Sequence, residues 1–223
     1  MGVPLRKMAI FPKTNQRRRQ KPHNKSRGQS LVEVAIALPF LLILFSGLVE
    51  FGFMLNHYVS LTDATRETAR YFSNFDPFDP DQPNGDNIIN YYVPAAGLLK
   101  GKLEPDLTLE SGIQSTRRII LDPAADDIVI SVFSICNGAV VARYPTAGDY
   151  RWRGNDTSRF SNADIENRLV GAAPATGIVL VEVFYDYHMT LALPFITDYI
   201  LNPVTLYSYT IMPVSAAEPV SCP

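Results

Sequence analysis

Arg27-Gly28-Gln29-Ser30-Leu31-Val32-Glu33 leads directly into Val34-Ala35-Ile36-Ala37-Leu38-Pro39-Phe40-Leu41-Leu42-Ile43-Leu44-Phe45-Ser46-Gly47-Leu48-Val49. A basic segment ends at a glycine, a single carboxylate follows five residues on, and the next sixteen residues carry no charge. At a helical rise of about 1.5 Å per residue, Val34 to Val49 covers about 24 Å; continued to Leu55 it covers about 33 Å, close to the hydrocarbon thickness of a bilayer. An ionised carboxylate at the rim of such a run is costly, so Glu33 requires either a counter-charge or a place among the headgroups. The run therefore predicts one membrane-spanning helix, with a transmembrane segment at about 34–55, and everything else is arranged around it.

Charge is distributed unevenly about that span. The chain has 223 residues and a net charge of −2, yet residues 1–28 hold nine of the 20 Lys and Arg and no acid, which leaves eleven basic against 22 acidic side chains beyond them. A basic flank stays on the cytoplasmic side, which predicts a cytoplasmic N-terminus and a C-terminal part outside the cytoplasmic membrane. Arg17-Arg18-Arg19 taken alone would read as a nucleic-acid patch, but an apolar span follows at once, so no nucleic-acid partner is expected. A twin-arginine signal would need a small-residue cleavage site after the apolar run, and Leu48 to Leu55 has none. Residues 1–28 read as a basic leader rich in Pro and polar residues, 29–73 as one long helix kinked at Pro39, and 74–223 as an extracytoplasmic domain large enough to bury a core.

A basic leader, Gly28, Gln29 and Glu33 in this order match a prepilin-type signal, in which a peptidase cuts after the glycine and a glutamate stands fifth in the mature chain. The continuation Gln-Ser-Leu-Val-Glu-Val-Ala, then Leu38-Pro39, Val49-Glu50-Phe51-Gly52 and Ala64-Thr65-Arg66-Glu67-Thr68-Ala69-Arg70-Tyr71, resembles the TadE/TadG-like minor pilins (pseudopilins) of the tight-adherence pilus. Thr68 departs from the small alanine usual there. The resemblance is dense over Gly28 to Tyr71 and thin beyond. It implies cleavage of the Gly28–Gln29 bond by a prepilin peptidase, assembly with other pilin or pseudopilin subunits and the pilus assembly machinery, and a role for Glu33 in recognition or assembly. Cleavage would give Gln29 a free amine, protonated near neutrality with a reference pKa of about 8. That amine, or a neighbouring subunit's, would balance Glu33, and the attraction in low dielectric is set against desolvation. Glu50 is a candidate intramembrane polar contact; it either reaches the far interface or pairs within a bundle. Ser46, Gly47 and Gly52 are small enough for close helix approach.

Past Leu55 the helix turns amphipathic: Met54, Tyr58, Leu61, Thr65, Ala69 and Phe72 predict a buried stripe, and Asp63–Arg66 and Glu67–Arg70 fall at ion-pair spacing. Ser73 to Asn87 is a break, with Pro77, Pro80 and Pro83 excluding helix. A short helix is expected over Asn87 to Leu99, and irregular or extended chain over Gly101 to Asp122. Asp127 to Cys136 and Ala139 to Tyr144 are β-branched runs joined by Asn137-Gly138, a hairpin signal. Tyr144 to Thr157 reads as a polar loop carrying Trp152, packed on the domain by cation–π contact. Ser161 to Gly171 reads as a short helix capped by Ser161 or Asn162. Gly177 to Tyr187 reads as a central strand with Glu182 and Asp186 pointing outward, and Thr205 to Met212 as a last strand. Leu191 to Leu201 is apolar but too short for a second span. The fold class is thus α+β, a long N-terminal helix packed on an antiparallel sheet.

Little in the sequence suggests catalysis. His23, His57 and His188 are scattered, and there is no phosphate-cradling glycine loop, metal-ligand motif or nucleophile elbow. Neither a cofactor nor a metal is expected; Asp76, Asp79, Asp81 and Asp86 could gather a hard cation, but their spacing matches no calcium loop. Cys136 and Cys222 both fall outside the membrane and form a candidate disulfide, the alternative being two free thiols. Besides the pilin reading, an uncleaved single-pass anchor bearing a binding domain, or an anchored hydrolase, fits the same segments.

Overall fold

The apolar run forms the helix its composition demands: α1 spans Arg27–Phe72, 46 residues, with Pro39 inside it. The computed structural model describes residues 27–104, 119–169, 175–191, 202–219 and 222. The basic leader before Arg27, most of the stretch expected to be irregular, the Gly171 helix stop and the apolar segment after Leu191 lie outside the described residues. The chain divides into two compact units, Met1–Leu44 and Phe45–Pro223. In the first unit, the described part is the opening of α1, whose apolar side chains from Leu31 to Leu44 are exposed. The second unit holds the rest of α1 and an α+β domain.

In that unit, Leu61, Ala64, Thr65, Thr68, Ala69 and Phe72 line the buried face of α1. Tyr58, expected on this stripe, is 44% exposed. It lies about 60° around the helix from Leu61 at 3.6 residues per turn, on the edge that leaves the core. After the proline-rich break, one π-helical turn at Ile88–Tyr92 continues into α2, Val93–Leu103. Pro94 lies in the first turn of α2, where a missing N–H costs nothing. Helix α2 extends past the expected Leu99, burying Leu99 and Leu103 beside Tyr91 and Tyr92.

The sheet comprises β1 (Asp127–Cys136), β2 (Ala139–Tyr144), β3 (Tyr150–Arg151), β4 (Thr176–Tyr187) and β5 (Val204–Pro213). Its order is β2-β1-β4-β5, all antiparallel, with β3 paired to the other part of β1 at Val129 and Ile130. Asn137 (φ 50°) and Gly138 (φ 80°) are both left-handed, the geometry that lets a two-residue turn follow strand twist. Every residue of β1 is buried, as expected for a strand covered on both faces. One face presents Ile128, Ile130, Val132, Val179, Val181 and Val183 to the core shared with α1 and α2. The other carries Phe133, Ile135, Ile178 and Leu180 under Phe160 and Ile165. Ile165 comes from α3, Asn162–Glu166, whose N-terminus has a capping box between Ser161 and Asp164.

Two further expectations need correction. Glu182 does not point to solvent but is fully buried on the second face, because residues 158–160 fold over it. Glu67 pairs with Lys102 of α2 at 2.6 Å rather than with Arg70, since packing of α2 brings a better-placed cation. Gly177 is required sterically: a Cβ there would lie 2.3 Å from the Val214 carbonyl oxygen.

Candidate functional site

The residues singled out by the sequence fall into three places. Gly28, Gln29 and Glu33 occupy the first two turns of α1. Gln29 and Glu33 are four residues apart, so one helical turn separates them. Gly28 is exposed, and a side chain there would meet nothing within 4 Å among the described residues. The helix from Ser30 is long and apolar enough to cross a membrane.

Glu50 forms the second place. Its carboxylate accepts from the Tyr187 hydroxyl at 2.5 Å, the Thr190 N–H at 2.8 Å and the Leu191 N–H at 2.9 Å. Three donors converge because β4 ends at Tyr187 and the chain then turns across α1. Beside them, His57 Nδ1 lies 2.8 Å from the Phe53 carbonyl, and its ring stacks on Tyr185 and meets Tyr187 edge-on. Burial, then the hydrogen bond to Glu50, pushes the Tyr187 phenol up to about 12, so it stays a donor at any ordinary pH. The carboxylate was legible in sequence as a charge interrupting an apolar helix; its donors, some 140 positions away, were not.

The third place is the disulfide joining Cys136, at the end of β1, to Cys222, with Cα atoms 5.5 Å apart. It closes the C-terminal segment onto the sheet. Nearby the chain is pinned by Ser134 Oγ, which donates to the Ala217 carbonyl at 2.7 Å.

Other polar groups serve the fold. Asp127 is buried and gathers the N–H groups of Ile128, Arg153, Gly154 and Asp156, so one carboxylate shapes the loop after β3. Trp152 in that loop lies under Arg153, 4.4 Å from its ring, with Lys100 at 5.4 Å. A cleft of about 520 Å³ beside it is lined by Asn84, Asp86, Tyr150 and Arg151 among others. Asp76 and Asp79 cap their own turns by accepting from Phe78 and Asp81, and among the described residues no group of three or more His, Cys, Asp or Glu is placed to hold a metal.

The fold and first site define an α+β protein with an apolar N-terminal helix of membrane-crossing length. Residues 28–70 match the model of the TadE-like protein family. No curated protein and no solved structure matches it.

Proposed function

We propose that this chain is a minor pilin or pseudopilin of a tight-adherence-type pilus or a related secretion system. A prepilin peptidase cuts the Gly28–Gln29 bond, and the mature chain, anchored in the cytoplasmic membrane, joins other pilin-like subunits through its N-terminal helix. The chain supplies the scissile bond and the assembling helix; the peptidase supplies the catalysis. The observation that carries this reading is the TadE-like match over residues 28–70, which begins at the glycine before the proposed cut and includes Glu33. The freed amine of Gln29 and the carboxylate of Glu33, one turn apart or on neighbouring subunits, balance each other inside the membrane. The basic leader orients the domain outward, in keeping with a disulfide at Cys136 and Cys222.

Mass spectrometry of the membrane form tests this. A chain beginning at Gln29 is expected, with Gly28→Ala leaving residues 1–28 attached and abolishing pilus function. A parent chain that keeps its leader and still works would overturn the reading and leave an uncleaved, anchored binding domain.

A further inference from the structure

Glu50 does not mark the level at which α1 leaves the membrane. Its three donors lie on the domain-facing side of the helix, so its charge is satisfied there by protein. The opposite side stays apolar: Phe51, Leu55, Tyr58 and Val59 recur at i, i+4, i+7 and i+8 and are all exposed, Phe51 by 58%. Asp63 is the next Asp, Glu, Lys or Arg along the helix after Glu50. Glu50 is thus the one Asp, Glu, Lys or Arg between Val34 and Thr62.

Length decides what covers this stripe. Val34 to Val59, 26 residues of one continuous helix, rises about 39 Å, more than the roughly 30 Å hydrocarbon core and close to the roughly 40–45 Å of a bilayer with its headgroup layers. The stripe continues the apolar run of the proposed anchor without a break in charge pattern, and it ends in a tyrosine, a residue whose apolar ring and polar tip suit the headgroup level. Leu191, exposed beside the Glu50 clamp, adds apolar surface at the same end of the domain.

We infer that the Phe51–Val59 face of α1 faces lipid, with Phe51 and Leu55 at the outer end of the acyl chains and Tyr58 and Val59 in the headgroup layer beyond them, so that the sheet domain rests with its Glu50 end against the membrane. The Glu50 clamp makes this tolerable, because it withdraws the one carboxylate of the segment onto Tyr187, Thr190 and Leu191. The inference rests on the membrane-anchor part of the proposed function and is independent of leader cleavage.

Fluorescence quenching of the full chain in vesicles of phosphatidylethanolamine and phosphatidylglycerol tests it. Trp152 is the chain's one tryptophan, so Tyr58→Trp and Phe51→Trp are each placed in a Trp152→Phe background. Both positions are exposed, and an aromatic exchange there leaves the core intact. Both reporters are expected to resist aqueous iodide, with Phe51→Trp quenched by lipid brominated along the acyl chain and Tyr58→Trp by lipid brominated near the headgroup, while Trp152 in the parent is quenched by iodide and not by brominated lipid. Reporters open to iodide and insensitive to brominated lipid would overturn the inference, as would reporters shielded from both, which would mean that another protein segment covers the stripe. Leu41→Trp reads the anchor separately. If lipid brominated at the acyl end quenches it while Tyr58→Trp is untouched, only this inference fails; if neither is quenched, the anchor reading fails as well.

Discussion

Thr68 and Glu182 show how single side chains in this protein carry costs that their neighbours absorb. Thr68 is fully buried on α1, and its hydroxyl finds no partner among the described residues. A buried hydroxyl left unpaired costs about 1–3 kcal/mol, and threonine is also the poorer helix former. Thr68→Ala is therefore expected to stabilise the domain by about 1 kcal/mol after the lost methyl packing is counted, read as a rise in Tm of the detergent-solubilised chain. Glu182 is fully buried in β4, accepting from the Arg159 N–H at 3.0 Å and the Tyr207 hydroxyl at 2.6 Å, while its second oxygen has no hydrogen-bond partner among the described residues. Burial raises its pKa despite those hydrogen bonds. The folded chain thus holds the proton more tightly than the unfolded one, so this contribution to stability is full below the unfolded glutamate pKa and is lost as pH rises through the folded value. Glu182→Gln is expected to melt above the parent at neutral pH, with the gap closing in acid; thermal melts across that range measure it.

At the level of elements, two polar contacts set how α1 meets the sheet. Thr65 Oγ1 lies 3.2 Å from Thr210 Oγ1 and 3.5 Å from Ser208 Oγ, placing hydroxyls of β5 against one side of an otherwise apolar helix face. Four turns earlier, Glu50 binds the end of β4. Apolar packing alone would tolerate sliding of the helix along the strands; paired polar groups at both ends do not. Tyr187→Phe removes one donor to a partly exposed carboxylate while keeping the ring on His57. It is expected to lower stability by about 1 kcal/mol, with amide exchange rising first around Phe53 to Ser60.

For the molecule as a whole, the disulfide is the covalent tie between the C-terminal segment and the sheet. It closes a loop with a sequence separation of 86 residues that starts at the end of β1 and takes in β2 through β5. Opening it restores freedom to the unfolded chain, and reduction or a Cys136→Ser, Cys222→Ser pair is expected to cost about 2–4 kcal/mol. Melting the oxidised and reduced chains side by side gives that difference, and the reduced chain should still show the sheet, since β1 and β4 are buried without help from the bridge.

Much of this protein follows from local chemistry alone. A charge-free run long enough for lipid makes a helix, Asn137-Gly138 makes a hairpin, β-branched runs make strands, and the segment 28–70 is similar to the TadE-like family model. Such features depend on residues a few positions apart, so the sequence displays them directly. Tertiary structure decided which faces were covered. Glu182 alternates like an outward residue and is buried, because a loop from elsewhere folds over it. Tyr58 keeps helical spacing yet is exposed. Glu50 finds its donors at the far end of β4, and β3, two residues long, exists only because β1 offers it a partner. Periodicity fixes which side chains share a face, but burial and pairing depend on what arrives from distant parts of the chain, and that is settled only when the whole domain packs.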